Sequence, residues 1–117
     1  MNTVMLIGRL TTDPSRRTVS TATGDRTVST LAIAVPLERG RDGDPCYIDV
    51  DVWGPAAEAC ARYLAKGRQV AVVGRLDLNR WTAADGTTRR SHRVVATTVE
   101  FLDRPPDRNH TPAAVAA

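Results

Sequence analysis

The stretch CYIDVDVWGPAAEACARYLAKG, residues 46–67, changes its apolar period in the middle and so places a strand and a helix in succession. Between Ile48 and Val52 apolar and acidic residues alternate, which is the period of a strand with one buried face. From Pro55 onward the apolar spacing becomes helical, and we expect the helix to run from this proline to Gly67, a common stop signal. The stretch therefore predicts a strand that leads directly into one helix.

Further strand-like segments lie on both sides of this stretch. Two precede it, TVMLIGRL (3–10) and TVSTLAIAVPL (27–37); a fourth strand follows Gly67, and RRSHRVVATTVEFL (89–102) comes after a turn at Asp85-Gly86. Three strands, one helix and two strands fit an all-β fold, a five-stranded barrel of the OB type with its helix between strands 3 and 4. This order alone also allows other small β-rich folds.

The domain predicted from these elements covers residues 1–102. Residues 103–117 are rich in proline and alanine and carry no core pattern, so we expect a short flexible C-terminal tail.

Composition is that of an ordinary globular protein. The chain is 42% apolar and 25% charged, and its net charge of +3 tolerates a polyanionic partner without requiring one. No apolar run approaches the roughly 20 residues that span a bilayer, and the first residues read directly into a strand without a basic leader. We therefore expect a cytoplasmic protein without a membrane contact.

Two cysteines, Cys46 and Cys60, are too few and too far apart for a zinc motif. In the cytoplasm they are expected to be reduced thiols, with a disulfide between subunits as the alternative. No metal or other cofactor is predicted.

One of the five aromatic residues, Trp81, falls on the polar side of the predicted fourth strand. Side chains of like parity point to the same face of a strand. A ring on a polar face either packs in a cross-strand pair or offers a surface on which a nucleic-acid base can stack. We favour stacking because Arg80 adjoins the ring. The parity sets are Val70, Val72, Leu76 and Leu78 on one side and Arg75, Asp77, Asn79 and Trp81 on the other.

From about Asn2 to Leu102 the chain resembles the bacterial single-stranded DNA-binding proteins. A helix ending in YLAKG, then a VGRL strand, then a Trp before a DG turn is a specific combination. The segments that carry the resemblance are NTVMLIGRLTTDP, STLAIAV, VDVWGPAAEACARYLAKGRQVAVVGRL and RWTAADGTTR.

The resemblance implies an OB fold, a homotetramer, and a protein without enzymatic activity. Such proteins bind and protect single-stranded DNA, largely without regard to sequence, during replication, recombination and repair. In a bacterium this work is done at the nucleoid.

Matched residue by residue, the resemblance also implies a DNA-binding surface. Trp81 and Tyr47 fall on positions whose rings stack on bases, and Trp53 falls where the family carries a phenylalanine that contacts DNA. The cations in or beside this surface are Arg9, Arg80 and Lys66, and Arg39 is the nearest match to a tryptophan that the family often has after the second strand.

Arginines bracket Trp81 across one predicted hairpin, as in a groove that follows a phosphate backbone while rings stack on bases. The series is Arg75, Arg80, Arg89, Arg90 and Arg93.

The chain also departs from the family pattern. Family members commonly end in a flexible linker and an acidic tip that recruits partners, whereas this chain ends TPAAVAA, so recruitment of repair proteins by an acidic tail is not expected. The alternative function is that of an OB-fold accessory protein, of the primosome or conjugation type, that acts mainly through protein contacts.

A third class, a nuclease or other hydrolase, has only Asp49 and Asp51 in its favour. No histidine or third acid accompanies them nearby, and we interpret them as structural partners of an arginine such as Arg75.

Overall fold

The computed structural model describes residues 1–37, 43–102 and 114–116. Its elements, in chain order, are β1 (Val4–Leu10), β2 (Ser15–Thr21), β3 (Gly24–Val35), β4 (Cys46–Trp53), α1 (Pro55–Tyr63), β5 (Gln69–Thr82), β6 (Thr88–Phe101) and β7 (Ala114–Ala116).

Five of the strands pair in a closed circuit. β1 pairs with β5, β5 with β6, β6 with β4, β4 with β3, and β3 again with β1. The pairing of β4 with β6 is parallel and the other four are antiparallel. The helix lies in the chain between the third and fourth strands of this circuit. The order confirms the prediction of an all-β OB fold.

Alternate residues of the barrel strands fill a single apolar core. Every second side chain of a strand points to the same side, so the strands contribute regularly spaced aliphatic residues. Burying each large one stabilises the fold by about 1.5–3 kcal/mol. The helix covers one part of this core with Ala56, Cys60 and Leu64. The strand residues in the core include Leu31, Ile33, Val50, Val52, Val70, Val72, Val94 and Val99.

A β-bulge in β6 changes which of its residues face the core. Val73 is in register with Thr98 and Gly74 with Ala96, so Thr97 has no partner on β5. The extra residue shifts the alternation, and Ala96 and Val99 both reach the core although they are three residues apart. A Cβ atom at position 74 would collide with the Val95 carbonyl oxygen, which explains the glycine there.

The structure adds a strand that the sequence does not predict. β2 pairs only with β3 and forms a hairpin beside the barrel. Its residues are exposed except for the half-buried Val19, so it lacks the apolar alternation by which strands are recognised. β3 also begins earlier than predicted, at Gly24, and ends at Val35.

The helix ends at Tyr63, so the prediction that it continues to Gly67 is wrong. Leu64 has an extended backbone (φ −101°, ψ 150°), and its N–H donates to the carbonyl of Cys60 at 3.0 Å. Leu64 is still buried, which explains why the apolar pattern runs past the last helical residue. Gly67 instead lies in a turn with φ of 91°, where its N–H donates to the Leu10 carbonyl at 2.8 Å.

Part of the predicted C-terminal tail is a strand. Residues 114–116 form β7, which pairs antiparallel with β6, and Val115 packs against the core. The rest of residues 103–117 lies outside the described residues. No helix within the described ranges is long and apolar enough to cross a bilayer.

The two cysteines have opposite environments. Cys46 is exposed at the start of β4, and Cys60 is buried on the side of α1 that faces the core. Burial raises the pKa of the Cys60 thiol to about 12 because the thiolate is poorly stabilised away from water. The two cysteines do not form a disulfide with each other.

We therefore predict that one thiol per chain reacts with Ellman's reagent in the native protein. The thiolate is the nucleophile, and at mildly alkaline pH Cys60 stays protonated, since its pKa of about 12 is far above the pH of the assay. Cys46→Ser should abolish the fast reaction, and Cys60 should react only after unfolding in denaturant. Two thiols reacting equally fast in the native protein would contradict the buried position of Cys60.

Candidate nucleic-acid interface

One side of the sheet carries most of the predicted site. Residues in register point to the same side, and the row Thr30, Asp51, Val95 and Arg75 crosses β3, β4, β6 and β5 in that order. We call this side the open face. Its polar and aromatic members are Tyr47, Asp49, Asp51 and Trp53 on β4, Arg75, Asp77, Asn79 and Trp81 on β5, and Arg89, Ser91 and Arg93 on β6.

An ion pair occupies the middle of the open face. The Arg93 Nε lies 2.9 Å from Asp51 Oδ2, and its Nη2 donates to Asp51 Oδ1 at 3.2 Å. The Thr30 hydroxyl also donates to Asp51 Oδ1, at 2.8 Å. Asp49 is a more distant partner, with Oδ2 at 3.9 Å from Arg93 Nη2.

This arrangement corrects one expectation about the two acids. Asp49 and Asp51 do pair with an arginine, but the partner is Arg93 and not Arg75. The residue of β5 directly opposite Arg93 is Asp77, and Arg75 lies two residues before it. Within the described part of the chain, no group of three or more histidines, cysteines or carboxylates is placed to hold a metal ion.

Tyr47 lies at one end of the open face, where its side chain is 68% exposed. It is in register with Ala34, which is in register with Arg9 on β1. Arg9 Nη1 donates to the Gly67 carbonyl at 2.9 Å, next to the exposed Lys66. The structure therefore brings Tyr47, Arg9 and Lys66 to the same end of the barrel. Arg39 lies outside the described residues.

Trp53 is half-buried and is partly covered by a cation. The guanidinium carbon of Arg26 lies 5.1 Å from the centroid of the Trp53 ring. A cation over an aromatic face is attracted by the ring quadrupole, typically by about 0.5–1 kcal/mol at exposed sites. Arg26 was not among the predicted site residues. It stands on β3, two residues before Val28, which is the cross-strand partner of Trp53. The predicted strand began at residue 27 and so left Arg26 out.

Trp81 lies near the tip of the β5–β6 hairpin and is 46% exposed. Its cross-strand partner is Arg89, which shares its face. Arg89 Nη2 is 3.6 Å from Asp85 Oδ2 in the turn. Hydrogen bonds from the hydroxyl and the N–H of Thr87 lower the pKa of Asp85, so the carboxylate stays charged and holds the turn.

Arg80 and Arg90 are directly opposite one another on the other side of this hairpin. Arg80 therefore adjoins Trp81 in sequence without sharing its face, since successive side chains of a strand alternate. Within the described residues, neither arginine lies within 4.0 Å of a carboxylate oxygen. Like charges placed directly across two strands repel each other, and a bound anion would relieve that repulsion.

The predicted residues therefore fall into three groups around one surface. Tyr47 is near Arg9 and Lys66, Trp53 is near Arg75, and Trp81 is near Arg89. Arg80 and Arg90 add positive charge on the far side of the hairpin that carries Trp81.

Comparison with known proteins agrees with this geometry. The family whose model matches is described as the single-strand binding protein family, and the match covers residues 1–102. The chain is 42% identical over 106 residues to a single-stranded DNA-binding protein of Clostridium tetani, a match that covers 88% of this chain and 71% of the relative. It is 37% identical over 114 residues to single-stranded DNA-binding protein 3 of Clostridium acetobutylicum, covering 97% of this chain and 78% of that protein.

A third relative comes from another bacterial genus. Over 107 residues the chain is 36% identical to a single-stranded DNA-binding protein of Thermotoga maritima, covering 90% of this chain and 76% of the relative. The closed OB circuit, the family match over residues 1–102 and these relatives lead to the same conclusion: the chain belongs to the single-strand binding protein family.

Proposed function

We propose that this protein binds single-stranded DNA on its open face, largely without regard to sequence. Aromatic rings would stack on bases while arginines and a lysine neutralise phosphates. The relatives named above are single-stranded DNA-binding proteins. The observation that carries the proposal is that three rings lie on one side of the sheet, and each has a cation in its cross-strand row or against its ring. The pairs are Tyr47 with Arg9, Trp53 with Arg26, and Trp81 with Arg89.

Exposure of the rings favours a single strand over a duplex. Tyr47 and Trp81 offer their rings to solvent, and a ring can stack only on a base whose face is uncovered. In a duplex the neighbouring bases cover those faces, whereas in a single strand they are accessible. A ring also accepts any base, because every base has a π-face.

The cations extend the proposed path of the phosphates beyond the rings. Arg80 and Arg90 oppose each other without a carboxylate neighbour among the described residues, so a phosphate between or beside them would lower their repulsion. Arg75 and Lys66 add charge at the other groups on the open face.

We infer a binding role without catalysis. A hydrolase would need Asp51 as a catalytic or metal-binding acid. Its contacts with Arg93 and Thr30 support a structural role instead. The protein would coat and protect single strands in the cytoplasm during replication, recombination and repair.

We also infer that the protein acts as a homotetramer. On β1 the side chains of Met5 and Ile7 are 74% and 52% exposed. They lie in register with the half-buried Val73 and Ala71 of β5, so four apolar side chains form a continuous strip. Covering such a strip with another copy of the chain would remove it from water.

Light scattering should give a mass of about four times 12.7 kDa for the native protein. Ile7→Glu should lower that mass, because a carboxylate in the strip would resist burial. Val19→Glu, on the hairpin outside the strip, is the control and should leave the mass unchanged. A wild-type mass of 12.7 kDa at micromolar concentration would contradict the tetramer.

Trp81→Ala should weaken binding to an oligonucleotide about tenfold to hundredfold, since one base stack is worth about 1–3 kcal/mol. The thermal midpoint should change little because the ring is half-exposed and lies outside the core. Trp81→Phe should keep part of the affinity, because a smaller ring still offers a π-face. Anisotropy of a labelled oligo-dT measures the affinity.

Thr82→Ala is the matched control for this substitution, since it lies next to Trp81 and faces the other side of the strand. If Trp81→Ala unfolds the protein, or binds as tightly as the wild type, the ring is structural and the stacking assignment is wrong.

Affinity should fall with salt, because each neutralised phosphate releases counterions and contributes about −0.7 to the slope of log K against log salt. Arg80→Ala and Arg90→Ala should each make that slope less negative by about this amount. Arg62→Ala, whose guanidinium packs on the Tyr63 ring of α1, should leave it unchanged. A slope that is flat, or unaffected by both hairpin substitutions, would argue against phosphate contacts there.

A further inference from the structure

The open face contains a recess beside Trp53 that the stacking of bases on rings does not by itself explain. Its volume is about 450 Å³, within the range of small-molecule sites. The residues that line it include an aromatic residue, two arginines and an aspartate: Trp53, Arg26, Arg75 and Asp77. Thr97, the bulged residue of β6, also lines it, so the bulge shapes this part of the face. A base bound at Trp53 would therefore have charged and polar side chains around it.

Asp77 differs from Asp49 and Asp51 because it forms no ion pair with a described residue. The residue directly across from it is Arg93, whose guanidinium is engaged by Asp51 and Asp49. Among the described residues, no cation lies within ion-pair distance of the Asp77 carboxylate. Its Oδ1 accepts a hydrogen bond from the Leu78 N–H at 2.9 Å, and its Oδ2 remains available as an acceptor.

Asp51 lines the same recess, but its carboxylate is already engaged by other side chains. Its Oδ1 accepts from Thr30 and from Arg93, and its Oδ2 faces the Arg93 Nε. Asp77 is therefore the carboxylate of the recess that can accept a hydrogen bond from a ligand.

Carboxylate oxygens distinguish bases by what the base edge offers. Cytosine presents an N4 amino group, which donates hydrogen bonds, and aspartate is a recognised acceptor for it. Thymine and uracil present an O4 carbonyl at the same place, which a carboxylate repels. The negative charge thus favours cytosine and disfavours the other pyrimidines.

We propose that Asp77 is a specificity-determining residue, and that the recess beside Trp53 prefers cytosine to thymine or uracil. This inference rests on the proposed binding of single-stranded DNA and adds a base preference at one position on the open face. The rings remain indifferent to sequence, so the preference is a modest bias on general binding.

General repulsion between Asp77 and phosphate would have a different signature. A phosphate is present at every nucleotide, so repulsion would weaken binding to all bases by the same factor. A hydrogen bond from an amino group changes the ratio between bases. The ratio of affinities, and not the affinity itself, is therefore the quantity that tests the proposal.

The test compares oligo-dC with oligo-dU of equal length, at mildly alkaline pH where cytosine is unprotonated. Neither base carries the thymine methyl group, and the two differ in the donor and acceptor pattern of their pairing edge. The wild type should bind oligo-dC about threefold to tenfold more tightly, the ratio expected for one net hydrogen bond. Asp77→Asn keeps the size of the side chain, removes its charge, and offers an NH₂ donor that can serve O4. It should raise the affinity for oligo-dU relative to that for oligo-dC and bring their ratio close to one.

Two further variants complete the experiment. Asp77→Ala should also bring the ratio close to one. Glu100→Gln removes an exposed carboxylate from the end of β6, outside the recess, and should keep the wild-type ratio.

Equal binding of oligo-dC and oligo-dU by the wild type would overturn the proposal, as would an unchanged ratio in Asp77→Asn. Both results leave the proposed function intact. Failure of the wild type to bind either oligonucleotide would instead overturn the proposed function.

Discussion

The ion pair between Arg93 and Asp51 organises the surface on which the proposed function depends. Asp51 is almost completely buried, and a buried carboxylate that has no cation beside it strongly destabilises the folded state. Arg93 supplies that cation from β6, and Thr30 adds a hydroxyl from β3, so one residue of β4 is bound from both sides. The contact lies beside the parallel pairing of β4 with β6 that closes the circuit. It also neutralises the centre of the open face, where phosphate would otherwise meet acidic side chains.

The aromatic rings around this centre are presented in different ways. Trp53 is half-buried, with Arg26 over its ring, so its orientation is set before a ligand arrives. Trp81 stands near the end of a long hairpin whose turn is held by Asp85, Thr87 and Arg89. Preorganised rings lose little conformational entropy on binding, whereas long arginine side chains lose more. The face therefore combines fixed stacking surfaces with adaptable cations, which suits a ligand of any sequence.

Sequence patterns predicted the strands in which apolar and polar residues alternate, and they missed the strands that lack this alternation. β4 and β5 carry clear apolar periods, and their predicted faces are those of the structure. β2 has one half-buried residue and no pattern, so it could not be predicted. Arg26 lies among the exposed first residues of β3, where the pattern is also absent. Leu64 extended the apolar stripe of the helix past its end because burial continues after the hydrogen bonding stops. The partner of Asp51 depends on long-range register, which period alone does not give. Arg80 lies on the opposite face of β5 from Trp81, because successive side chains of a strand alternate between its two faces.

The proposed function requires single-stranded DNA to lie across the open face and to stack on its rings. Photo-crosslinking of oligo-dT containing 5-iodouracil, followed by mass spectrometry of the digested protein, identifies the residues in contact with the bases. Crosslinks are expected at Tyr47, Trp53 and Trp81. Crosslinks confined to the exposed side of α1, or to Met5 and Ile7 of β1, would contradict stacking on these rings, because none of the three lies there.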